Sequence, residues 1–541
     1  MNANDINILN STSSPTLIHI ISTILTTRRW GDYSYAWVKS PNDMMTWVNS
    51  QVSVSPFRKN FPFCKGLPLL RAPTIARFSP CCSVSVLINF LHHILVGRQN
   101  MKSKFLNILP FAFLFLCSNL VFAQSDPILE RAKAGIRQHR MGDLVIKVVD
   151  SKGQPVPGAE VRVEMLRHQF LFGCNIFMWG QFEKSRDEQI YRESFADLFN
   201  YATLPFYWGD YEKEKGKPDH GYREQVARWC WQHGITTKGH PLIWTWPGNV
   251  PKWLPDNPEE VRRLAVNRVT DCVTRFKGLI NIWDVVNEAV DPYAARDPLN
   301  WKDNRLQMAF QRIGTVRMVK DMFAAARAAN PQATLLINDY RIEPKYKDLL
   351  ELLRNNGKPI FDVIGIQSHM HDGVWSSQKI WDICQEYAFF GIPLHFTETT
   401  IVSSKRLGPG ENWGPTDPSL EEKQAKEAER FYATLFGHPA VEAITWWDFT
   451  DQGAWQGAAA GFLRKDLSPK PIYTTLRKLI REDWCSKTHL QTDHNGIARL
   501  HAFYGDYRIT SMRNNTSASR FISHDRRIRE NKAELKLEEI N

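Results

Sequence analysis

An α/β class fold, a (β/α)8 TIM barrel with a small accessory β-domain built from segments flanking the barrel, is what this sequence predicts. Three observations predict it. Short apolar runs alternate with helix-period patterns eight times between residues 170 and 482, the rhythm of a barrel with each strand followed by a helix. Several of these runs close on polar or aromatic side chains, which a barrel would gather at one mouth. No GxGxxG turn follows the first run, and this weakens the runner-up, a doubly wound open sheet.

The barrel strands are expected at 170–177, 201–207, 236–244, 281–288, 334–340, 363–369, 393–399 and 443–449, each apolar and β-rich. Helical spacing of apolar residues fills the intervals at 187–199, 223–233, 258–276, 312–329, 346–355, 378–390 and 420–436, with a last helix at 471–482. The catalytic barrel is thus expected to span 170–485. Before it, residues 143–149 and 159–165 alternate apolar and polar across the Pro/Gly-rich stretch 153–158, which reads as a β-hairpin. After it, a turn at 492–496 precedes strands at 497–504 and 507–510. The extensions 124–169 and 486–518 are expected to pair into one β-domain. Residues 519–541 are charged, helix-prone and lack a clear apolar face, and are expected to form a solvated tail.

A hydrophobic content of 43% and a charged content of 23% fit a globular enzyme with a substantial core. The net charge of +11 invites a nucleic-acid reading until it is located along the chain. Residues 1–123 hold 11 basic and 3 acidic side chains, leaving a nearly balanced 57 and 54 in the rest. No basic stripe remains, so no nucleic acid is expected as a partner. Residues 101–123 have the layout of a signal peptide. Met101-Lys102-Ser103-Lys104 is a basic start, Phe105 to Phe122 is apolar, and Val121-Phe122-Ala123 offers a cleavage site. The expectation is a secreted or periplasmic protein whose true start is Met101, with 1–100 an over-extended reading frame. The alternative is a membrane anchor through the same apolar stretch. Five cysteines follow Ala123 at long spacings with no CxxC, which indicates buried thiols instead of a disulfide framework or zinc site.

On the barrel reading, His240, Glu288, Tyr340, His369, Glu398 and Trp447 fall at strand ends facing the active site. Two carboxylates delivered to one place are the minimum equipment for cutting a glycosidic bond. Several histidines near the mouth raise the question of a metal, but no HExxH segment occurs, and neither metal nor cofactor is expected.

These residues resemble glycoside hydrolase family 10, the endo-β-1,4-xylanase family. Trp283-Asp284-Val285-Val286-Asn287-Glu288 resembles its acid/base segment, Lys238 to Trp244 its third strand, Ile337 to Tyr340 its fifth, and Gly365 to His369 its sixth. Thr397-Glu398 is similar to its nucleophile segment, and Ile444 to Trp447 through Asp451 and Trp455 to its eighth strand. The resemblance implies Glu288 as general acid/base with a raised pKa, and Glu398 as an ionised nucleophile oriented by His369. It implies that Asn287 and Gln367 bond the sugar at the scissile linkage, with His240 and Trp244 lining the same subsite. Trp447 and Trp455 would stack on sugar faces, and Tyr340 would lie near the leaving group. The implied partner is a polysaccharide or oligosaccharide, xylan or a related β-glycan, with no protein partner.

One stretch departs from the pattern. The family's second strand normally carries a Glu-Asn pair and a Lys; here it reads Ala202-Thr203-Leu204-Pro205-Phe206-Tyr207-Trp208. The expected activity is therefore a retaining β-glycosidase hydrolysing internal β-1,4 bonds of xylan. The alternatives are the same mechanism on another plant β-glycan or oligosaccharide, and a non-catalytic glycan-binding barrel.

Overall fold

The computed structural model describes residues 126–290, 304–408 and 412–539, together with four two-residue strands between 29 and 46. The chain divides into two units, 1–111 and 112–541. In the first, Arg29–Trp30 pairs with Tyr33–Ser34 and Val38–Lys39 with Met45–Thr46, both antiparallel. The expected export segment, 101–123, lies outside the described residues.

In the second unit eight parallel strands close on themselves. In order they are Leu171–Asn175, Tyr201–Pro205, Thr236–His240, Ile282–Asn287, Thr334–Asp339, Val363–Ile366, Leu394–Ile401 and Val441–Trp446. Each pairs with the next, and the eighth returns to the first through Ala443 opposite Leu171. They are numbered 1 to 8 below. The expected helices lie between them. Several start where a Pro follows a capping or extended residue, as at Pro258 behind Asn257 and Pro418 behind Asp417, whose side chains accept two backbone N–H groups each. The helix expected at 312–329 runs from Thr315 to Ala329, and an unexpected helix, Arg305–Ile313, precedes it, the two separated at Gly314, which takes φ 99°.

The flanking segments do build a joint β unit, but with a different pairing from the expected hairpin. Met141–Val149 is the centre of a three-stranded sheet, antiparallel to Ile497–Phe503 and parallel to Asn531–Lys536. Glu160–His168 lies in another sheet, between Lys487–Gln491 and Gly505–Arg513. Only a bridge between Val149 and Pro155 survives of the local pairing. The alternation was real: Leu144, Ile146 and Val148 on one strand and Val161, Val163 and Met165 on the other are all buried in one core. Pro155 and Pro157 in the connection lack the N–H groups a hairpin ladder needs, and the chain crosses between sheets instead.

Two further expectations are corrected. Residues 519–541 are not a solvated tail over their described length. Thr516–His524 extends the second sheet, and Asn531–Lys536 buries Asn531, Ala533 and Leu535 on alternate positions. Its charged residues occupy the outward face of a strand, not a helix. The N-terminal segment also opens with an unexpected helix, Pro127–His139, capped by Asp126 and buried through Ala132, Gly135 and Ile136. It meets helix Pro418–Gly437 so closely that a Cβ on Gly135 would stand 2.2 Å from the Gly437 carbonyl oxygen.

Candidate active site

A cleft of about 660 Å³ opens at the C-terminal ends of the barrel strands. Glu288, Glu398, His240, Trp244, Asn287, Tyr340, Gln367, His369, Trp447 and Trp455, dispersed over more than two hundred positions in the chain, all line it. Parallel strands deliver them: each run is apolar where it lies in the wall and polar where it leaves it.

Asn287 and Glu288 are consecutive, so a regular strand would point them to opposite faces. Glu288 instead takes φ 54°, in the left-handed region, which turns the chain out of the strand and lets both side chains reach the cleft. Such a conformation costs about 1–3 kcal/mol in a non-glycine residue and persists where the surroundings enforce it. Here the Glu288 N–H donates to the Asn338 carbonyl (2.8 Å) and the side chain accepts from Gln367 Nε2 (3.1 Å).

Glu398 is buried and held from three sides. Asn338 Nδ2 donates to its Oε1 at 2.7 Å, His369 Nε2 lies 3.1 Å from its Oε2, and His240 Nε2 is 3.8 Å from Oε1. With His369 donating through Nε2, its Nδ1 accepts from the Thr400 hydroxyl at 3.0 Å, which fixes the ring. Burial by itself raises the pKa of Glu398. His240, the bond from His369 and the charge of Lys238 outweigh it and hold the carboxyl below its ordinary value, so it is ionised. Two side-chain amides link the carboxylates: Asn338 Nδ2 also donates to Asn287 Oδ1 (2.8 Å), and Gln367 Nε2 lies 3.3 Å from the same oxygen. Glu398 and Glu288 thus belong to one hydrogen-bonded array.

Trp447 packs edge-on against His240 (5.3 Å between ring centres) and His369 (5.9 Å), forming the floor between them. Trp455 is exposed and lies over His369 at 4.5 Å. Trp244 stacks on Trp246, centres 5.4 Å apart and planes 20° from parallel, giving the cleft an aromatic flank.

Below the cleft, Asp284 is fully buried in an otherwise apolar strand, an arrangement that requires partners. They come from strand 3: Lys238 Nζ at 2.8 Å and His240 Nδ1 at 2.6 Å. Burial raises the pKa of Asp284, and Lys238 and His240 reverse the shift. Gly239 between them gives room to Trp283, whose ring would stand 2.1 Å from a Cβ there. Replacing Asp284 by Ala strands the buried Lys238 ammonium and frees His240 from its orienting bond. The expected result is a loss of about 3–5 kcal/mol in unfolding free energy, measured by denaturant titration, with impaired turnover in the protein that remains folded.

Several residues of the site were not assigned from sequence. Asn338, Asp284 and Thr397, whose hydroxyl donates to Asn338 Oδ1 at 2.6 Å, orient the named residues without standing at strand ends. A polar side chain inside an apolar strand was the available signal. Asp448 lines the cleft directly after Trp447, and burial raises its carboxyl to about 7 while the Trp455 N–H, 3.0 Å from Oδ1, opposes the shift. His369 and His371 stand at His-x-His spacing with ring centres 5.8 Å apart. Among the described residues no group of three His, Cys, Asp or Glu is placed to hold a metal.

Residues 163–479 match the model of glycosyl hydrolase family 10. The chain is 26% identical over 389 residues to anti-sigma-I factor RsgI6 of Acetivibrio thermocellus, covering 71% of this chain and 46% of that one. Endo-1,4-beta-xylanase 1 of Arabidopsis thaliana is 26% identical over 404 residues, 71% of this chain and 37% of that one. Endo-1,4-beta-xylanase B of Thermotoga neapolitana is 26% identical over 356 residues, 63% of this chain and 96% of that one. The chain therefore spans less than half the length of the first two relatives and nearly all of the third. A solved xylanase 10B of Thermotoga petrophila is 22% identical, with a TM-score of 0.49, over 58% of this chain and 95% of that one.

Proposed function

This chain belongs to glycosyl hydrolase family 10, and from that premise we propose that it is a retaining β-glycosidase that cuts internal β-1,4 bonds of xylan by double displacement. The observation that carries the reading is the hydrogen-bonded array joining Glu398 to Glu288 along one sugar-sized cleft.

Glu398 attacks the anomeric carbon from below while protonated Glu288 gives its proton to the departing glycosidic oxygen. The aglycone leaves and the glycone remains as an ester of Glu398. Glu288, now ionised, takes a proton from water as that water attacks the anomeric carbon; the ester bond breaks and Glu398 returns to its carboxylate. Asn287 is suited to bond the sugar beside the scissile linkage, an interaction that strengthens as the ring flattens towards the oxocarbenium-like state. His240 and Trp244 line the same subsite, Trp447 and Trp455 supply stacking faces, and Tyr340 lies on the leaving-group side. No cofactor enters the scheme.

A second reading keeps the mechanism and changes the glycan. It is favoured by the stretch Pro205-Phe206-Tyr207-Trp208, which brings only Tyr207 to the cleft where the family pattern carries a Glu-Asn pair and a Lys. Reducing-sugar release from xylan, mixed-linkage glucan and mannan separates the readings. Highest activity on xylan supports the first, activity confined to another glycan selects the second, and none on any with retained glycan binding would indicate a non-catalytic barrel.

The depressed pKa of Glu398 makes a pH prediction. The free enzyme needs this group ionised, and its pKa lies below the ordinary 4.5. The acid limb of kcat/KM, which reports the free enzyme, should fall only below that pH. A pH–rate profile with its acid midpoint near 6 would contradict the assignment. Export through residues 101–123 fits a polymeric substrate outside the cell. Among the described residues no helix is long and apolar enough to cross a membrane.

A further inference from the structure

Where strand 2 meets the short helix Trp208–Tyr211, the chain reads Pro205-Phe206-Tyr207-Trp208. Two of these side chains turn away from the cleft. Phe206 is buried edge-on against Trp283 (5.0 Å) and Phe276 (5.1 Å), and Trp208 is buried with Nε1 donating to Glu212 at 3.0 Å. Of the four residues only Tyr207 lines the cleft. Its ring is fixed by three neighbours, edge-on to Phe177 (5.8 Å) and His240 (5.7 Å) and tilted against Trp244 (6.0 Å).

The ring is held, but among the described residues its hydroxyl has no hydrogen-bond partner. Nor is it sealed in the core, as the unpartnered hydroxyls of Tyr191, Tyr201 and Tyr432 are. It opens onto the cleft. Burial and the nearby carboxylates of Glu398 and Glu288 keep the phenol neutral, and so able to donate. A rigid aromatic ring that presents one unused donor to a cleft is suited to reading a substrate oxygen at little entropic cost.

We propose that the Tyr207 hydroxyl binds the glycone sugar, donating a hydrogen bond to one of its ring hydroxyls. The side follows from the mechanism above, on which this inference rests. Glu398 bonds the anomeric carbon of the glycone, and Tyr207 sits against His240, which itself lies 3.8 Å from Glu398. Tyr207 is then a substrate-binding residue supplied by a stretch whose other members are apolar.

Tyr207→Phe removes one oxygen and leaves the three ring contacts, so thermal melting should be nearly unchanged. The test measures kcat/KM for wild type and variant on an aryl β-xylobioside and on its monodeoxy derivatives. The parent substrate should lose about five- to tenfold, the range of a single neutral hydrogen bond. One deoxy derivative, lacking the hydroxyl that Tyr207 reads, should show no further loss in the variant. Equal rates on the parent, or the same loss on every derivative, would overturn the proposal. If wild type turns over none of these substrates, the hydrolase reading fails separately. Calorimetric titration of xylo-oligosaccharides into Glu398→Ala, with and without Tyr207→Phe, then decides: weaker binding in the double variant upholds Tyr207, and equal binding removes it.

Discussion

Glu398→Ala should abolish hydrolysis, with kcat on polymeric substrate falling about 10⁴-fold or more, the scale on which removing a covalent nucleophile cuts an enzyme's turnover. The fold should survive. Removing this carboxylate relieves a buried charge, and Asn338 keeps its bonds to Asn287 and Thr397. Substrate binding should persist, because the aromatic floor and flank are untouched. The short side chain also leaves space for a small anion. Added azide should restore turnover of an activated aryl glycoside and give a glycosyl azide of inverted configuration, since the anion attacks from the face that Glu398 held. Unchanged xylan hydrolysis in this variant would remove the proposed mechanism. Loss without azide rescue would place the defect outside the nucleophile's role.

Glu288→Gln produces a different pattern. Gln keeps an oxygen to accept from Gln367 and keeps the size of the side chain, so the left-handed turn at this position should hold. It cannot donate a proton to the leaving oxygen. Hydrolysis of xylan, whose leaving group is a sugar alkoxide, should fall about 10²–10⁴-fold, the usual worth of a positioned general acid. Glycosyl-enzyme formation from an aryl glycoside with an acidic phenol needs no such proton and should be nearly normal. Water attack on the intermediate still needs the base, so a burst of phenol followed by a slow steady state is expected. Equal losses in the pre-steady-state burst rate for both kinds of leaving group would argue that Glu288 has some other task.

Most of the cleft was legible from the chain because a parallel barrel converts sequence order into spatial convergence. A polar residue following an apolar run on a barrel strand, as Glu288 follows strand 4 and Glu398 lies within strand 7, is placed by topology without knowledge of packing. The supporting layer was harder to read. Asn338 and Asp284 sit inside strands, and their roles depend on which neighbouring strand presents a partner at the same height. Lys238 and His240 meet Asp284 only because strands 3 and 4 pair in one particular register. Tyr207 stands in the sequence between Phe206 and Trp208, and only the burial of those two singles it out.

The pairing of the accessory unit is hidden from the sequence for a related reason. Alternation in 143–149 and 159–165 identified strands correctly, but the shared core does not say which strands are neighbours. The ladder partners are more than three hundred residues away, at 487–491, 497–503, 505–513 and 531–536. The last of these alternates a small buried face with lysine and glutamate, a composition that favours helix until a sheet edge is available to pair with it. Helix Pro127–His139 has only a short apolar face, and its close packing at Gly135 depends on Gly437 far along the chain.

The central claim is that Glu398 forms the covalent glycosyl-enzyme. Incubation with an activated 2-deoxy-2-fluoro β-xylobioside, which slows both steps but the second more, followed by peptide mass mapping, tests it most directly. A single fluoroglycosyl ester is expected on the peptide carrying Glu398, released when excess sugar acceptor is added. A label on any other residue would contradict it.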